Sequence, residues 1–300
     1  MMASTTTAAL KKAAMAEAMQ IRKISTACGA EVTGLDATQP VAPTQVKALH
    51  KALGENGILL FRNVHLTPDQ HVEFSKYFGA LEAHVIGDFA LPGRPEIFVV
   101  SNVKEQGKLK GAVYAGQYWH SDLSYMQKPS MGSLLLCHEM PEIGGDTMFA
   151  NMYLAWDTLS ETMREFLEKQ SAVHDYSHAY DTYFAHLKER PPLTAEARAK
   201  TPPVEHPMVR VHPETGRKAL YVNPGFTKGI VGMPKEEAQP ILDFLFRHST
   251  RPEFIYRHKW QVNDMIFWDN RCVMHYALAD YDFSVRRHMH RTTIAGIATH

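Results

Sequence analysis

The sequence predicts a mainly β fold with peripheral helices, in which a core of two sheets carries helices on its outside. Two observations lead there. Short runs of strand length recur along the chain and outnumber the helical patterns. Residues that could act together on one ion stand far apart in sequence, as expected where two strands of a closed β structure meet in space. At 300 residues, 45% hydrophobic and 21% charged, the chain can form one domain with a sizeable core. The expected organisation is a flexible tail over 1–20 and a single domain over 21–300.

The opening residues, Met1 to Gln20, are rich in Ala, Thr and Met and lack the apolar stretch of roughly 7–15 residues that a signal peptide needs. No run approaches the roughly 18 apolar residues of a membrane span. Ile21-Arg22-Lys23-Ile24 and Ala30 to Leu35 read as short strands. A helix begins at Thr44-Gln45-Val46, with Val46, Leu49 and Leu53 on one face and Gly54 or Gly57 to end it. Ile58-Leu59-Leu60-Phe61 is a continuous apolar run, read as a strand buried on both faces. Thr67-Pro68-Asp69-Gln70 starts a helix, with a capping Thr, Pro at the first position and Gln three residues after the cap. Leu81 to Asp88 reads as a loop carrying His84, and Glu96 to Val100 as a strand.

Tyr118 to Tyr125 reads as an extended, aromatic strand, followed by strands Ser133 to His138 and Thr147 to Ala150 around the turn Pro141 to Asp146. Thr158-x-x-Glu161 is a capping box for a helix with Leu159, Met163, Phe166 and Leu167 on its apolar stripe. Tyr176 to Pro203 is polar and proline-punctuated, and reads as a long insertion of the lid type. Val209 to Val211 and Ala219 to Val222 flank Pro213-Glu214-Thr215-Gly216 as a hairpin. Glu236 to His248 is helical in pattern, with Pro240 in its first turn or at a kink. Phe254 to Trp260, Met265 to Trp268 and Arg286 to Ile294 close the chain as strands.

Composition narrows the partners. Lys plus Arg and Asp plus Glu are 32 each, so net charge favours neither nucleic acid nor an anionic membrane, and a small molecule is the expected partner. Cys28, Cys137 and Cys272 are widely spaced and without a Cys-x-x-Cys pair. They read as reduced, packed thiols of a cytoplasmic protein.

The chemistry concentrates in two places. In an extended segment, residues i and i+2 point to one face, so His120 and Asp122 can reach one ion together. His275, in Trp268-Asp269-Asn270-Arg271-Cys272-Val273-Met274-His275, offers a second imidazole. Two histidines and one carboxylate with open positions describe the facial triad of a non-haem Fe(II) oxygenase. His-x-Asp alone is a common pair in a chain with 17 histidines; its neighbours give it weight.

Those neighbours resemble the taurine and aryloxyalkanoate dioxygenase family of Fe(II)- and 2-oxoglutarate-dependent enzymes. The marks are Trp119-His120-Ser121-Asp122, Gly144-Gly145-Asp146-Thr147, Tyr221-Val222-Asn223, Trp268-Asp269-Asn270-Arg271 with His275, and Arg287-x-x-x-Arg291, in the family's order from about Ile21 onward. The resemblance implies a double-stranded β-helix, or jelly roll. It implies His120, Asp122 and His275 as iron ligands, and Thr147 and Arg287 on the distal carboxylate of 2-oxoglutarate. Arg291 would lie near the metal-chelating end of that molecule and the substrate. The implied reaction consumes O2, releases succinate and CO2, and hydroxylates a C–H bond, since Asp122 stands where halogenating relatives carry a small residue.

For the substrate, the resemblance places His84 with Arg291 on an anionic head group: a sulfonate, sulfate ester or aryloxyalkanoate-like carboxylate. Tyr176 and Phe226 are candidate pocket walls. Ala115-Gly116-Gln117-Tyr118 stands where taurine enzymes hold an ammonium with an acid and an amide. A buried ammonium without an acceptor is costly, so an apolar or aromatic tail is expected instead of taurine. A homo-oligomer, dimer or tetramer, is expected. The competing reading is a non-redox β-barrel protein that binds a small anion, as a sensor or a metal-dependent hydrolase. Arg286 to Arg291 could be a solvated basic strand, but alternation puts Arg287, Met289 and Arg291 on one face, and a pair of arginines suits bidentate grip on carboxylates.

Overall fold

The computed structural model describes residues 19–83, 89–184 and 193–299. The expected tail lies outside the described residues except for its last two, and Gln20 already opens a strand. The largest sheet runs in the order Gln20–Lys23, Ala30–Thr33, Ile58–Phe61, Met265–Asp269, Gly132–Glu139, His288–Ile294, Arg94–Ser101, Ala90–Leu91, with Leu81–Glu82 also paired to His288–Ile294. Within it only Ala30–Thr33 and Ile58–Phe61 pair in parallel.

Alternation along these strands divides the core in two. Leu135, Ile266, Trp268, Ile58 and Leu60 point into one cluster, while Leu134, Leu136, Met265, Phe267, Leu59 and Phe61 point into the other. The sheet is therefore buried on both faces, as the continuous apolar run 58–61 implies. One face packs on the helices Pro43–Asn56 and Pro68–Lys76 through Leu49, Leu53 and Phe74. The other packs on two three-stranded sheets, through Phe149 and Met274 of one and Ala172 and Ile230 of the second. These sheets are Ile255–His258, Thr147–Asn151, Val273–Ala277, and Val204–Pro207, Ser171–His174, Thr227–Ile230.

Helix starts follow local hydrogen bonds. Thr67 accepts from the Gln70 backbone N–H at 3.2 Å while Gln70 Oε1 accepts from the Thr67 N–H at 3.0 Å, the reciprocal cap read from the sequence. The preceding helix begins at Pro43, one residue before the expected Thr44, because Gln45 reaches back to the Ala42 N–H and Pro fills the first position. It ends at Gly57, whose φ of 73° lets its N–H return to Leu53 O.

Two expectations are corrected. Tyr118 to Tyr125 is not a strand: His120 makes an isolated bridge to His275, and the chain turns at once through Leu123, φ 54°. Thr158 does not start a helix; it closes Met152–Asp157, and Ser160 caps Glu161–Leu167 by accepting from Met163 N–H. Of the two places expected for Pro240 the first turn is excluded, since it sits past the first turn of Lys235–Ser249. In the insertion, Tyr176–Ala179, the π-helix Tyr180–Phe184 and Ala195–Lys200 are helical, and residues 185–192 lie outside the described residues. Tyr176, Ala179 and Phe184 are buried with Tyr118, Tyr125 and Phe226, so residues 176–184 form a wall.

Candidate active site

His120 and His275 are held opposite each other by two backbone hydrogen bonds, His120 N–H to His275 O at 3.1 Å and the reverse at 2.8 Å. Their rings lie 4.1 Å apart. Asp122 follows two residues later: its Oδ1 is 3.6 Å from His120 Nε2 and its Oδ2 is 3.9 Å from His275 Nε2. All three are buried, and one donor atom from each falls within 4.8 Å of the others. His120 Nδ1 lies 2.8 Å from Tyr118 O, which fixes the N–H there and leaves Nε2 as a lone pair. Gly116, φ 73°, lets the chain pass over this ring; a Cβ there would come within 2.9 Å of His120 Cε1.

Two donors hold the Asp122 carboxylate and a third hydrogen bond fixes its backbone. Ser133 Oγ donates to Oδ2 at 3.0 Å, Arg291 Nη1 donates to Oδ1 at 3.0 Å, and the Asp122 N–H donates to Asn270 Oδ1 at 3.1 Å. Burial pushes the Asp122 carboxyl up, but Arg291, His275 and His120 outweigh it and hold it well below the ordinary carboxylate value. Burial, aided by His120 and Arg291 against Asp122, holds His275 well below the ordinary imidazole value. Two imidazoles and a carboxylate facing one point suit a divalent cation. A second group, His212, Asp269 and Cys272, is equally close, but its carboxylate is gripped by Arg271 at 2.8 and 2.7 Å, and burial holds its thiol protonated. That group is a structural brace, and Cys272 is the packed thiol expected.

Beside the triad lies a cavity of about 40 Å³ lined by Leu135, Thr147, Trp268, His275, Arg287 and Arg291, among others. Arg287, Met289 and Arg291 are all buried on the face expected. Arg287 gives Nη2 to Gly145 O at 3.3 Å, its Nε is buried without a partner, and it has no carboxylate partner among the described residues. A buried guanidinium without a counter-ion is costly, so an anionic guest fits here. Thr147 Oγ1 accepts from Trp260 Nε1 at 2.9 Å, which leaves its own O–H to donate.

A larger cavity of about 340 Å³ also borders His120 and Arg291. Tyr176 and Phe226, the walls expected from the sequence, line it together with Phe98, Tyr118, Tyr125 and Phe184. His84 lies outside the described residues.

The profile described as taurine catabolism dioxygenase TauD, TfdA family matches residues 20–293. The chain belongs to that family. It is 34% identical to the alpha-ketoglutarate-dependent 2,4-dichlorophenoxyacetate dioxygenase of Cupriavidus pinatubonensis, over 88% of this chain and 93% of that one. It is 33% identical to an alkylsulfatase of Acinetobacter baylyi, over 94% of this chain and 86% of the relative. Among solved structures it is similar to AAD-2 in complex with Mn(II) and N-oxalylglycine, with a TM-score of 0.79 and 30% identity over 94% of this chain and 99% of that chain. The TauD, TfdA membership makes the chain a non-haem Fe(II)- and 2-oxoglutarate-dependent dioxygenase with a jelly-roll fold, as the resemblance implied. No helix among the described residues is long and apolar enough to cross a membrane.

Sequence reasoning passed over Ser133 and the side-chain role of Asn270. Asn270 Oδ1 accepts from both the Asp122 N–H and Trp268 Nε1, and its Nδ2 donates to Ser130. The Trp-Asp-Asn-Arg run was visible as a mark, but only the turn after Asp122 explains what its amide holds.

Proposed function

We propose that His120, Asp122 and His275 hold the iron, that Thr147 and Arg287 bind the distal carboxylate of 2-oxoglutarate, and that the enzyme hydroxylates a small organic anion with an apolar or aromatic tail. The observation that carries this reading is the pairing of a buried His-Asp-His cluster with two buried arginines at the junction of a small cavity and a large aromatic one. Bound there, Fe(II) with 2-oxoglutarate and O2 supplies the oxidising power that yields succinate and CO2 and hydroxylates the substrate.

The chain's own residues do the rest. His120 and Asp122 present a lone pair and a charge that need little reorganisation, because Tyr118 O, Ser133 and Asn270 hold them in place. Arg287 and Thr147 fix one end of the co-substrate in the smaller cavity. Arg291 lines both cavities and can face an anion in either. Tyr118, Tyr176, Phe184 and Phe226 exclude water and orient the tail. On the resemblance, His84 is a second head-group anchor.

The relatives' names, covering an aryloxyacetate and alkyl sulfates, support the same substrate class. The domain is taken as 21–300, with an insertion of the lid type near 176–203. A cytoplasmic homo-oligomer without nucleic-acid or membrane partners remains the reading.

A succinate-release screen over taurine, alkyl sulfonates, alkyl sulfates, aryloxyalkanoates and neutral controls tests the proposal, run on wild type and His84→Ala with oxygen uptake in parallel. An anion with an apolar tail should be turned over best, and only with 2-oxoglutarate. Preference for neutral compounds, or for taurine above every other anion, refutes the substrate reading. Oxygen uptake independent of 2-oxoglutarate refutes the assignment of co-substrate residues.

A further inference from the structure

Tyr125 brings a further polar group to the wall of the larger cavity. Tyr125 is 3% exposed and lines that cavity but not the smaller one. No hydrogen bond from its hydroxyl is found among the described residues. Its ring packs between Tyr176, at 4.8 Å, and Phe226, at 4.7 Å. A phenylalanine would pack there equally well, so the hydroxyl needs a reason of its own.

The position of that ring is built in. Leu123 adopts φ 54°, a conformation disfavoured for leucine, and turns the chain back directly after Asp122. Ser124 pins the turn: its Oγ receives Asn223 Nδ2 at 3.1 Å and lies 3.1 Å from His174 Nδ1. The result sets Tyr125 on the same cavity wall as Arg291, whose Nε is buried and unpartnered while its Nη1 serves Asp122. The phenol also interacts electrostatically with both Asp122 and Arg291, in keeping with that neighbourhood.

We propose that the Tyr125 hydroxyl is a specificity-determining hydrogen-bond donor to the anionic head group of the substrate, acting together with Arg291. This rests on the reading of the larger cavity as the site of a small organic anion. A rigid phenol places one donor at low entropic cost in an otherwise apolar wall. Such a donor favours a guest that presents a charged acceptor over a neutral isostere. Because Tyr125 is absent from the lining of the smaller cavity, its hydroxyl should discriminate substrates without touching co-substrate affinity.

The test is equilibrium binding of phenoxyacetate, hexyl sulfate and neutral phenoxyacetamide to the anaerobic Fe(II)- and 2-oxoglutarate-loaded protein, wild type against Tyr125→Phe. The variant should bind the two anions about ten- to a hundredfold more weakly, bind the amide as wild type does, and keep wild-type 2-oxoglutarate affinity and melting temperature. Unchanged anion binding overturns the assignment to Tyr125 alone. Failure of wild type to bind either anion overturns the anionic-substrate reading and this assignment with it. A parallel loss of 2-oxoglutarate affinity makes the hydroxyl structural and overturns the specificity role.

Discussion

Arg291 Nη1 lies 3.0 Å from Asp122 Oδ1, so the guanidinium shared by the two cavities is also the counter-ion of the candidate ligand carboxylate. The pair is buried, and a dication bound to Asp122 takes over part of the work the arginine does alone. Removing Arg291 then leaves a buried carboxylate with only Ser133 Oγ and the two imidazoles. Arg291→Met should destabilise the metal-free protein by about 3–5 kcal/mol, the range for breaking a buried pair, and Mn(II) should recover part of that loss. Urea denaturation with and without metal measures both, and equal stability of variant and wild type without metal counts against the pair.

His120→Ala and His275→Ala should each abolish stoichiometric Fe(II) binding together with turnover. Both rings belong to one bridge, so melting temperature needs to be followed alongside metal titration. Full activity in a folded His275→Ala protein sinks the triad assignment.

Arg287 is buried without a carboxylate partner among the described residues. Arg287→Ala should weaken 2-oxoglutarate by about 1.5–3 kcal/mol, the scale of a hydrogen bond to a charged group, while Fe(II) affinity holds. Isothermal titration distinguishes the two, and unchanged 2-oxoglutarate affinity removes Arg287 from the site.

His71 and His174 are both fully buried and pushed down to about 3, first by burial and then by His138 beside His71 and His206 beside His174. Unfolded, each titrates near 6.5. Below that pH the unfolded chain takes up protons that the folded one refuses. The stability is therefore present above about 6.5 and is lost as pH falls toward 3, at up to roughly 1.4 kcal/mol per pH unit for each histidine. His71→Gln should flatten the fall in urea midpoint between about pH 6.5 and 4.5, and an unaltered slope argues against a neutral, buried His71.

How far the sequence carries depends on the range of the interaction. Apolar runs such as 58–61 and 133–137 report burial directly, and alternation put Arg287 and Arg291 on one face. The turn at Leu123 was invisible because nothing about a leucine announces a left-handed φ; Asn223 and His174, distant in sequence, hold it through Ser124. The cap at Ser160 was misplaced because Thr158 has equal capping chemistry and only the hydrogen bonds choose, while Ala42 offers no capping side chain to mark the start at Pro43. In 176–184 polar neighbours and prolines masked a helical spacing, 176, 179–180, 183–184, that buries an aromatic face.

The last prediction concerns chain length. Phe226 is 3% exposed and stands 4.7 Å from the Tyr125 ring and 5.9 Å from the Tyr118 ring, so it closes the apolar cavity close to the candidate metal ligands. If that cavity of about 340 Å³ takes the substrate tail, each added methylene should improve binding by about 0.8 kcal/mol, close to fourfold in Kd, until the space is full. Across linear alkyl sulfates from ethyl upward, log Kd should fall steadily and then level off. In Phe226→Ala the levelling should come at longer chains, because the removed ring enlarges the cavity, while the shortest members bind more weakly for want of a wall. Calorimetry on the anaerobic Fe(II)- and 2-oxoglutarate-loaded protein gives the slopes. A series flat with chain length in wild type means the tail lies elsewhere, and a plateau at the same length in both proteins means Phe226 does not bound it.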